Sequence, residues 1–223
     1  SRTKFYKNIL FPKYNLNKWS SSETTLPKEI TKEDFDKNSV LERFDHQLKS
    51  TGVLTKYTMK PDFSWSCEDI TEIKKKYELY DYILLFPFCS KHLPQKKWPH
   101  YNELIKLIQN QYNEKFKIII APGPSEIKEA KEINATCVLE KDKALSISKL
   151  SGLIKHAKFV VANDTGPAHM TAHLNTNGIS LFGQHISAHK VSIERENFKP
   201  IQVSDLNKLS ANKVFEKIKN KLV

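Results

Sequence analysis

Several residue types are scarce in this 223-residue chain, and each scarcity excludes something. Its three cysteines, Cys67, Cys89 and Cys137, are widely spaced and show no metal-ligand or redox pattern. A disulfide scaffold is therefore excluded, and a reducing cytoplasm is the expected compartment. No apolar run approaches the roughly 18 residues of a membrane span, and no secretory-leader pattern opens the chain. The chain begins Ser1-Arg2 rather than with methionine, as expected of a piece of a longer protein. Only Arg2, Arg43 and Arg195 among the 36 basic residues are arginine. With no arginine cluster and no aromatic-basic stripe, specific nucleic-acid binding is not expected. The formal net charge of +11 thus rests on lysine. Two readings of it stay open: AT-rich coding, which also favours asparagine and isoleucine, or attraction to anionic substrates or a membrane surface.

Glycine is scarce too, with six residues, and four of them (Gly123, Gly166, Gly178, Gly183) flank apolar runs. Glycine belongs where backbone turns sharply or approaches something closely. The stretch from Phe159 to Gly183 shows the pattern best. Phe159-Val160-Val161-Ala162 is a continuous apolar run, as in a strand covered on both faces. Asn163-Asp164-Thr165-Gly166-Pro167 stacks turn formers, an N-cap candidate and a proline suited to a first helical turn. A second apolar run, Ile179 to Phe182, follows. A strand feeding a tight turn onto a helix N-terminus offers free N–H groups and a positive dipole end, which suits a phosphate. Many α/β units carry such a turn and bind nothing, so the turn alone does not decide.

From the start, residues 1–30 lack a clean period, with Phe5, Tyr6, Phe11, Tyr14 and Trp19 scattered like the edge of something larger. A helix is predicted from Thr31, capped by Thr31 or Asp36, carrying Val40, Leu41, Phe44 and Leu48 and stopped by Gly52. Residues 53–66 read as an extended connection, and Ser66 to Lys76 as a short, charged, exposed helix. Strands are then predicted at 82–86, 116–121, 136–139 and 200–203, besides the two above. Between them lie helices through Tyr101–Ile108, Ile127–Ile133 and Ile147–Ala157, with a last one through Val214–Leu222 capped by Ser210. Alternating strands and helices imply an α/β, doubly wound, Rossmann-like parallel sheet.

In such a sheet the loops Pro87–Pro99, Pro122–Glu126 and Asn163–His169 share the carboxyl edge, where ligands bind. In the first, Ser90 and Lys96 can serve a phosphate, or the loop is simply a solvated basic one; Trp98 before Pro99 reads as a packing anchor. In the second, Glu126 either accepts from ribose hydroxyls or stabilises a helix dipole. In the third, Asp164 and Thr165 either cap the helix or face a ligand, and His169 sits one turn in. His169 and His173 are spaced for a metal pair, but no third ligand suggests itself, so no metal is expected.

Asn163-Asp164-Thr165-Gly166-Pro167-Ala168-His169-Met170-Thr171-Ala172 resembles the D-[ST]-G-x-x-H-x-x-A turn of glycosyltransferase family 9, the ADP-heptose:lipopolysaccharide heptosyltransferases. Lys96-Lys97-Trp98-Pro99 is similar to that family's K-x-W-P, and Gly123-Pro124-Ser125-Glu126 to its G-P-x-E. Phe182-Gly183 and the closing segment from Asp205 to Val214 fit in the same order, so the likeness covers about residues 82–223. Cys89-Ser90 and His173 depart from the family's usual small residues.

The resemblance implies the C-terminal, donor-binding half of a GT-B fold over residues 77–223, with 1–76 a remnant of the acceptor domain and linker. It implies that Ser90 and Lys96 hold a diphosphate, and that Glu126 holds the ribose. Asp164, Thr165 and Gly166 would lie at the diphosphate and sugar, with His169 nearby. The implied reaction is inverting transfer of a sugar, a heptose in that family, from a nucleoside-diphosphate donor such as ADP-heptose, with no further cofactor. The implied acceptor is a lipid-linked glycan of lipopolysaccharide type, met in the cytoplasm at the inner face of the inner membrane. The catalytic aspartate of that family belongs to the acceptor domain, so no residue of this chain is assigned as the base, and this chain by itself is expected to be inactive. A non-catalytic nucleotide- or partner-binding module is the alternative.

Overall fold

Side chains alternate between the two faces of a strand, so a strand covered on both sides must be apolar throughout. The computed structural model, which describes residues 25–222, turns the apolar runs into strands for this reason. The strands are β1 (Tyr82–Phe86), β2 (Lys117–Ile120), β3 (Thr136–Cys137), β4 (Phe159–Asn163), β5 (Gly178–Phe182) and β6 (Phe198–Gln202). They form one sheet in the order β3-β2-β1-β4-β5-β6, and every pairing is parallel. The order reverses between β1 and β4, where doubly wound sheets form their crevice.

The chain divides into two compact units, Ser1–Met59 and Lys60–Val223. In the first, the described part holds α1 (Lys32–Phe35) and α2 (Val40–Ser50). One helix was expected here. Two form because Ser39 and Glu42 make a reciprocal capping box that restarts the helix after Asn38. Thr31 caps α1, and Gly52 sits at φ 79° just past α2. The aromatic residues at positions 5, 6, 11, 14 and 19 lie outside the described residues.

The second unit holds the sheet and five helices: α3 (Thr71–Lys76), α4 (Tyr101–Tyr112), α5 (Ile147–Lys155), α6 (Gly166–His173) and α7 (Ala211–Ile218). Ile83, Leu85, Ile118, Ile120, Phe159, Val161, Ile179 and Leu181 point to one face, against α4 and α7. Tyr82, Leu84, Phe86, Ile119, Val160, Ala162 and Phe182 point to the other, against α3, α5 and α6. The unit also takes in residues 60–76. Ser66 Oγ donates to Ser151 Oγ on α5 at 2.8 Å, and Ile70 and Ile73 are buried in the second core.

The helix expected over 66–76 is therefore shorter and less exposed. A 3₁₀ turn covers Ser64–Ser66, and the Asp69 carboxylate accepts from Thr71 N–H and hydroxyl where α3 begins. The helix expected through 127–133 is only a 3₁₀ turn, Glu129–Glu132. Only Ala130 of that turn is buried, so packing gives a full helix little support. The last strand begins at Phe198 rather than at Pro200. Proline is tolerated there because β6 is an edge strand.

Gly178 sits close against both neighbouring strands. A methyl group on it would lie 2.5 Å from the Val160 carbonyl oxygen and 2.9 Å from the Phe198 ring. Gly178→Ala is expected to destabilise the second unit by about 1–3 kcal/mol through overpacking, measured by chemical denaturation.

Candidate functional site

The site forms where β1, β4 and β5 end. Asn163, the last residue of β4, is fully buried, and its amide spans the strand end. Its Nδ2 donates to the carbonyls of Pro87 at 2.9 Å and Phe88 at 3.4 Å. Its Oδ1 accepts from Trp98 N–H at 3.3 Å and Tyr101 hydroxyl at 3.2 Å. Both ends of the loop after β1 are thereby pinned to β4. Trp98 is the packing anchor expected of it, buried with Nε1 donating to the Leu209 carbonyl at 2.6 Å.

That pinned loop delivers Lys96 to Asp164. The Lys96 ammonium lies 2.6 Å from Asp164 Oδ2, and the two side chains are 20% and 4% exposed. His169, one turn into α6, brings Nε2 to 3.7 Å from Oδ1. His185, in the loop after β5, brings Nε2 to 3.0 Å from Oδ2. Burial by itself would raise the Asp164 carboxyl, but the nearby His169 ring and the hydrogen bonds from Lys96 and His185 outweigh it and hold it well below the usual carboxylate range. Asp164 is thus a buried anion faced by basic side chains from two loops and helix α6.

Thr165 occupies the N-cap position of α6, but its side chain makes no capping bond; its hydroxyl donates instead to the Asn163 carbonyl at 3.2 Å. Gly166 opens α6; Pro167 carries no N–H and the N–H groups of Ala168 and His169 donate to the Thr165 carbonyl, so the helix start offers the Gly166 N–H and its positive dipole end. A Cβ added to Gly166 would meet nothing within 4 Å, so the helix start is open beside the Lys96–Asp164 pair. Open space, a helix N-terminus and an ammonium suit an anion.

The structure brings together Lys96, Asp164 and His169, with Thr165 and Gly166 adjoining. Ser90 and Glu126 stand on the same edge but share no hydrogen bond with them. Ser90 is exposed and uses its carbonyl to accept from Leu93 N–H at 2.9 Å. Glu126 Oε2 accepts from Gly123 N–H at 2.8 Å, which closes its own turn. An ion pair of Lys97 with Glu129 links the first loop to the segment after the second.

His173 points elsewhere. Its ring stacks on His169 at 6.5 Å and its Nδ1 receives the Arg195 guanidinium at 3.3 Å. Desolvation, then Arg195 and His169, push its pKa down to about 4. Among the described residues, no three histidine, cysteine or acidic side chains gather as metal ligands. An open groove of about 960 Å³ lies at the opposite, amino edge, lined by Glu78, Asp81, Gln109 and Lys117 among others. It contains none of these site residues, and parallel sheets bind ligands at the carboxyl edge.

His185 was missed in the sequence. The available signal was its place two residues beyond Phe182-Gly183, on a loop that parallel topology puts on the site's edge.

The depressed Asp164 carboxyl makes a pH prediction. A folded-state pKa below the ordinary value of about 3.9 stabilises the fold above that pH. Below it the unfolded chain binds the proton first, so the contribution falls as pH drops toward the lowered value, by at most about 1.4 kcal/mol per pH unit. Asp164→Asn is expected to cost stability at pH 7, and its deficit against wild type should shrink below about pH 4. Urea denaturation of both proteins from pH 7 to pH 3 measures this.

A model of glycosyltransferase family 9 (heptosyltransferase) matches residues 17–217. The fold resembles that of E. coli heptosyltransferase WaaC with ADP-2-deoxy-2-fluoro heptose, with 24% identity and a TM-score of 0.59 over 80% of this chain and 55% of that one. It also resembles a family 9 glycosyl transferase from Veillonella parvula DSM 2008, with 14% identity and a TM-score of 0.64 over 83% of this chain and 60% of that one. Methanocaldococcus jannaschii UDP-GlcNAc 2-epimerase in complex with UDP-GlcNAc and UDP shares the fold at 13% identity and a TM-score of 0.52, over 81% of this chain and 52% of that one. The chain thus spans little more than half the length of these structures. No curated protein matches it. The all-parallel six-stranded sheet flanked by helices is the one seen in GT-B glycosyltransferases. With nine-tenths of its length matched, from residue 17 to residue 217, the chain belongs to glycosyltransferase family 9.

Proposed function

We propose that this chain supplies the donor site of a glycosyltransferase and holds the diphosphate of a nucleoside-diphosphate sugar. The observation that carries the reading is the Lys96–Asp164 pair beside the open start of α6. Lys96 and the α6 N-terminus meet the diphosphate, while Asp164, Thr165 and Gly166 adjoin the diphosphate and sugar and His169 flanks them. Ser90 and Glu126 border the same edge, toward a phosphate and the ribose respectively. WaaC was solved with ADP and with an ADP-heptose analogue, which makes an adenosine diphosphate heptose the first donor to test.

The proposed chemistry is inverting transfer. An acceptor hydroxyl oxygen bonds to the anomeric carbon as the bond from that carbon to the diphosphate oxygen breaks. The nucleoside diphosphate leaves with the electron pair, and the hydroxyl proton passes to a base that this chain is not assigned. Lys96 and the N-terminal end of α6 stabilise the charge gathering on the leaving group, without rearranging during the step. The proposed acceptor is a lipid-linked glycan of lipopolysaccharide type, reached from the cytoplasmic side of a membrane. The lysine-borne net charge of +11 favours approach to such an anionic surface. No helix among the described residues is long and apolar enough to cross a membrane, so the contact proposed is peripheral.

Calorimetry of this chain with ADP, UDP and GDP tests the reading. One of them is expected to bind at submillimolar concentration. Lys96→Ala should weaken it roughly ten- to a hundredfold, as expected for a lost charge-assisted hydrogen bond of about 1.5–3 kcal/mol. If none binds at millimolar concentration and Lys96→Ala changes nothing, the donor-site reading fails.

A further inference from the structure

His185 is placed with more care than a surface loop requires. Its side chain is 8% exposed, and its ring lies nearly parallel to Phe182, 6.0 Å away at 11°. The loop that carries it is held from β6 by one side chain. Gln202 donates to the carbonyls of Gly183 and Ile186 and accepts from Ala188 N–H at 3.0 Å. A methyl group on Gly183 would sit 3.4 Å from His185 Nδ1 and 3.7 Å from the Gln95 carbonyl. The loops after β1 and β5 therefore lie against each other at Gly183, beside Lys96.

The contact made by this ring is directional. An ionised carboxylate only accepts, so His185 Nε2 carries the proton in the 3.0 Å contact with Asp164 Oδ2. The other nitrogen, Nδ1, is buried and has no hydrogen-bond partner among the described residues. Among the described residues the ring thus has one hydrogen bond, and it goes to the oxygen that also binds Lys96. Two donors on a single oxygen fix the plane of the carboxylate. A carboxylate so fixed holds the ammonium in one place instead of following it.

We propose that His185 is a positioning residue, acting through Asp164 to set the Lys96 ammonium where the diphosphate of a nucleoside-diphosphate sugar is received. The proposal rests on the donor-site reading above. Gln202 belongs to the same arrangement as the clasp that holds the His185 loop.

The test uses this chain, the tightest binder among ADP, UDP and GDP, and the corresponding nucleoside. His185→Leu is expected to weaken the nucleoside diphosphate roughly tenfold, the effect of one hydrogen bond to a charged group, and to leave the nucleoside unchanged. His185→Gln keeps an amide donor and should recover most of the affinity. Introduced into Lys96→Ala, His185→Leu should cost nothing further, because both act through one interaction. Equal loss for nucleotide and nucleoside, or additive losses in the double variant, would show a merely structural role and overturn the inference.

Ring ¹⁵N shifts of wild type need neither variant nor ligand. They are expected to show a proton on His185 Nε2 and to change in Asp164→Asn; a proton on Nδ1 alone overturns the inference. Wild type that binds none of the three nucleotides overturns the donor-site reading, and this inference with it. Binding that survives His185→Leu unweakened overturns the inference alone.

Discussion

A buried carboxylate is the constraint on which this edge of the sheet depends. Asp164 is 4% exposed, and an ion so far from water is tolerated only when charge and hydrogen bonds are brought to it. They come from separate places in the chain: Lys96 after β1, His169 within α6 and His185 after β5. Satisfying one charge therefore draws three segments together at the point where strand order reverses. The price is that removing any donor leaves the carboxylate under-compensated in a medium that screens poorly.

The scaffold that makes this convergence possible is neutral. Asn163 spends its amide on Pro87, Phe88, Trp98 and Tyr101, so the loop after β1 leaves and returns at fixed points. Trp98 adds a bond to Leu209, which couples the loop to the segment entering α7. Lys96 lies two residues before Trp98 and reaches Asp164 from an anchored base. A flexible four-carbon side chain on a fixed backbone point can be aimed; on a free loop it could not.

Fold and site were legible to different depths, for physical reasons. β1, β2, β4 and β5 are buried on both faces, which forces unbroken apolar runs such as Tyr82–Phe86 and Phe159–Ala162 that stand out in one dimension. The turn at Asp164–Pro167 and the anchor at Trp98 were legible because proline, glycine and tryptophan carry local meaning. The segment 127–133 misled because three apolar residues at helical spacing resemble a helix, whereas the crossover packs only Ala130. Asn163 read as a turn former, since nothing local pairs its amide with carbonyls some 75 residues earlier. The pairing of His185 with Asp164 was hidden for the same reason. The two are 21 residues apart, and only the parallel pairing of β4 with β5 makes them neighbours.

The choice of cation is consistent with a site that exchanges partners. An arginine facing Asp164 would form a planar two-point contact with the carboxylate and resist leaving it. Lysine presents a compact charge with three donors, so its ammonium can keep Asp164 on one side and meet a phosphate oxygen on another. The chain's use of Arg195 supports the contrast. That guanidinium is committed to the carbonyls of Ser192 and Glu194 and to His173, where a rigid fork holds backbone in place. The rigid cation thus fastens the segment before β6, and the pliable one stands at the open end of α6.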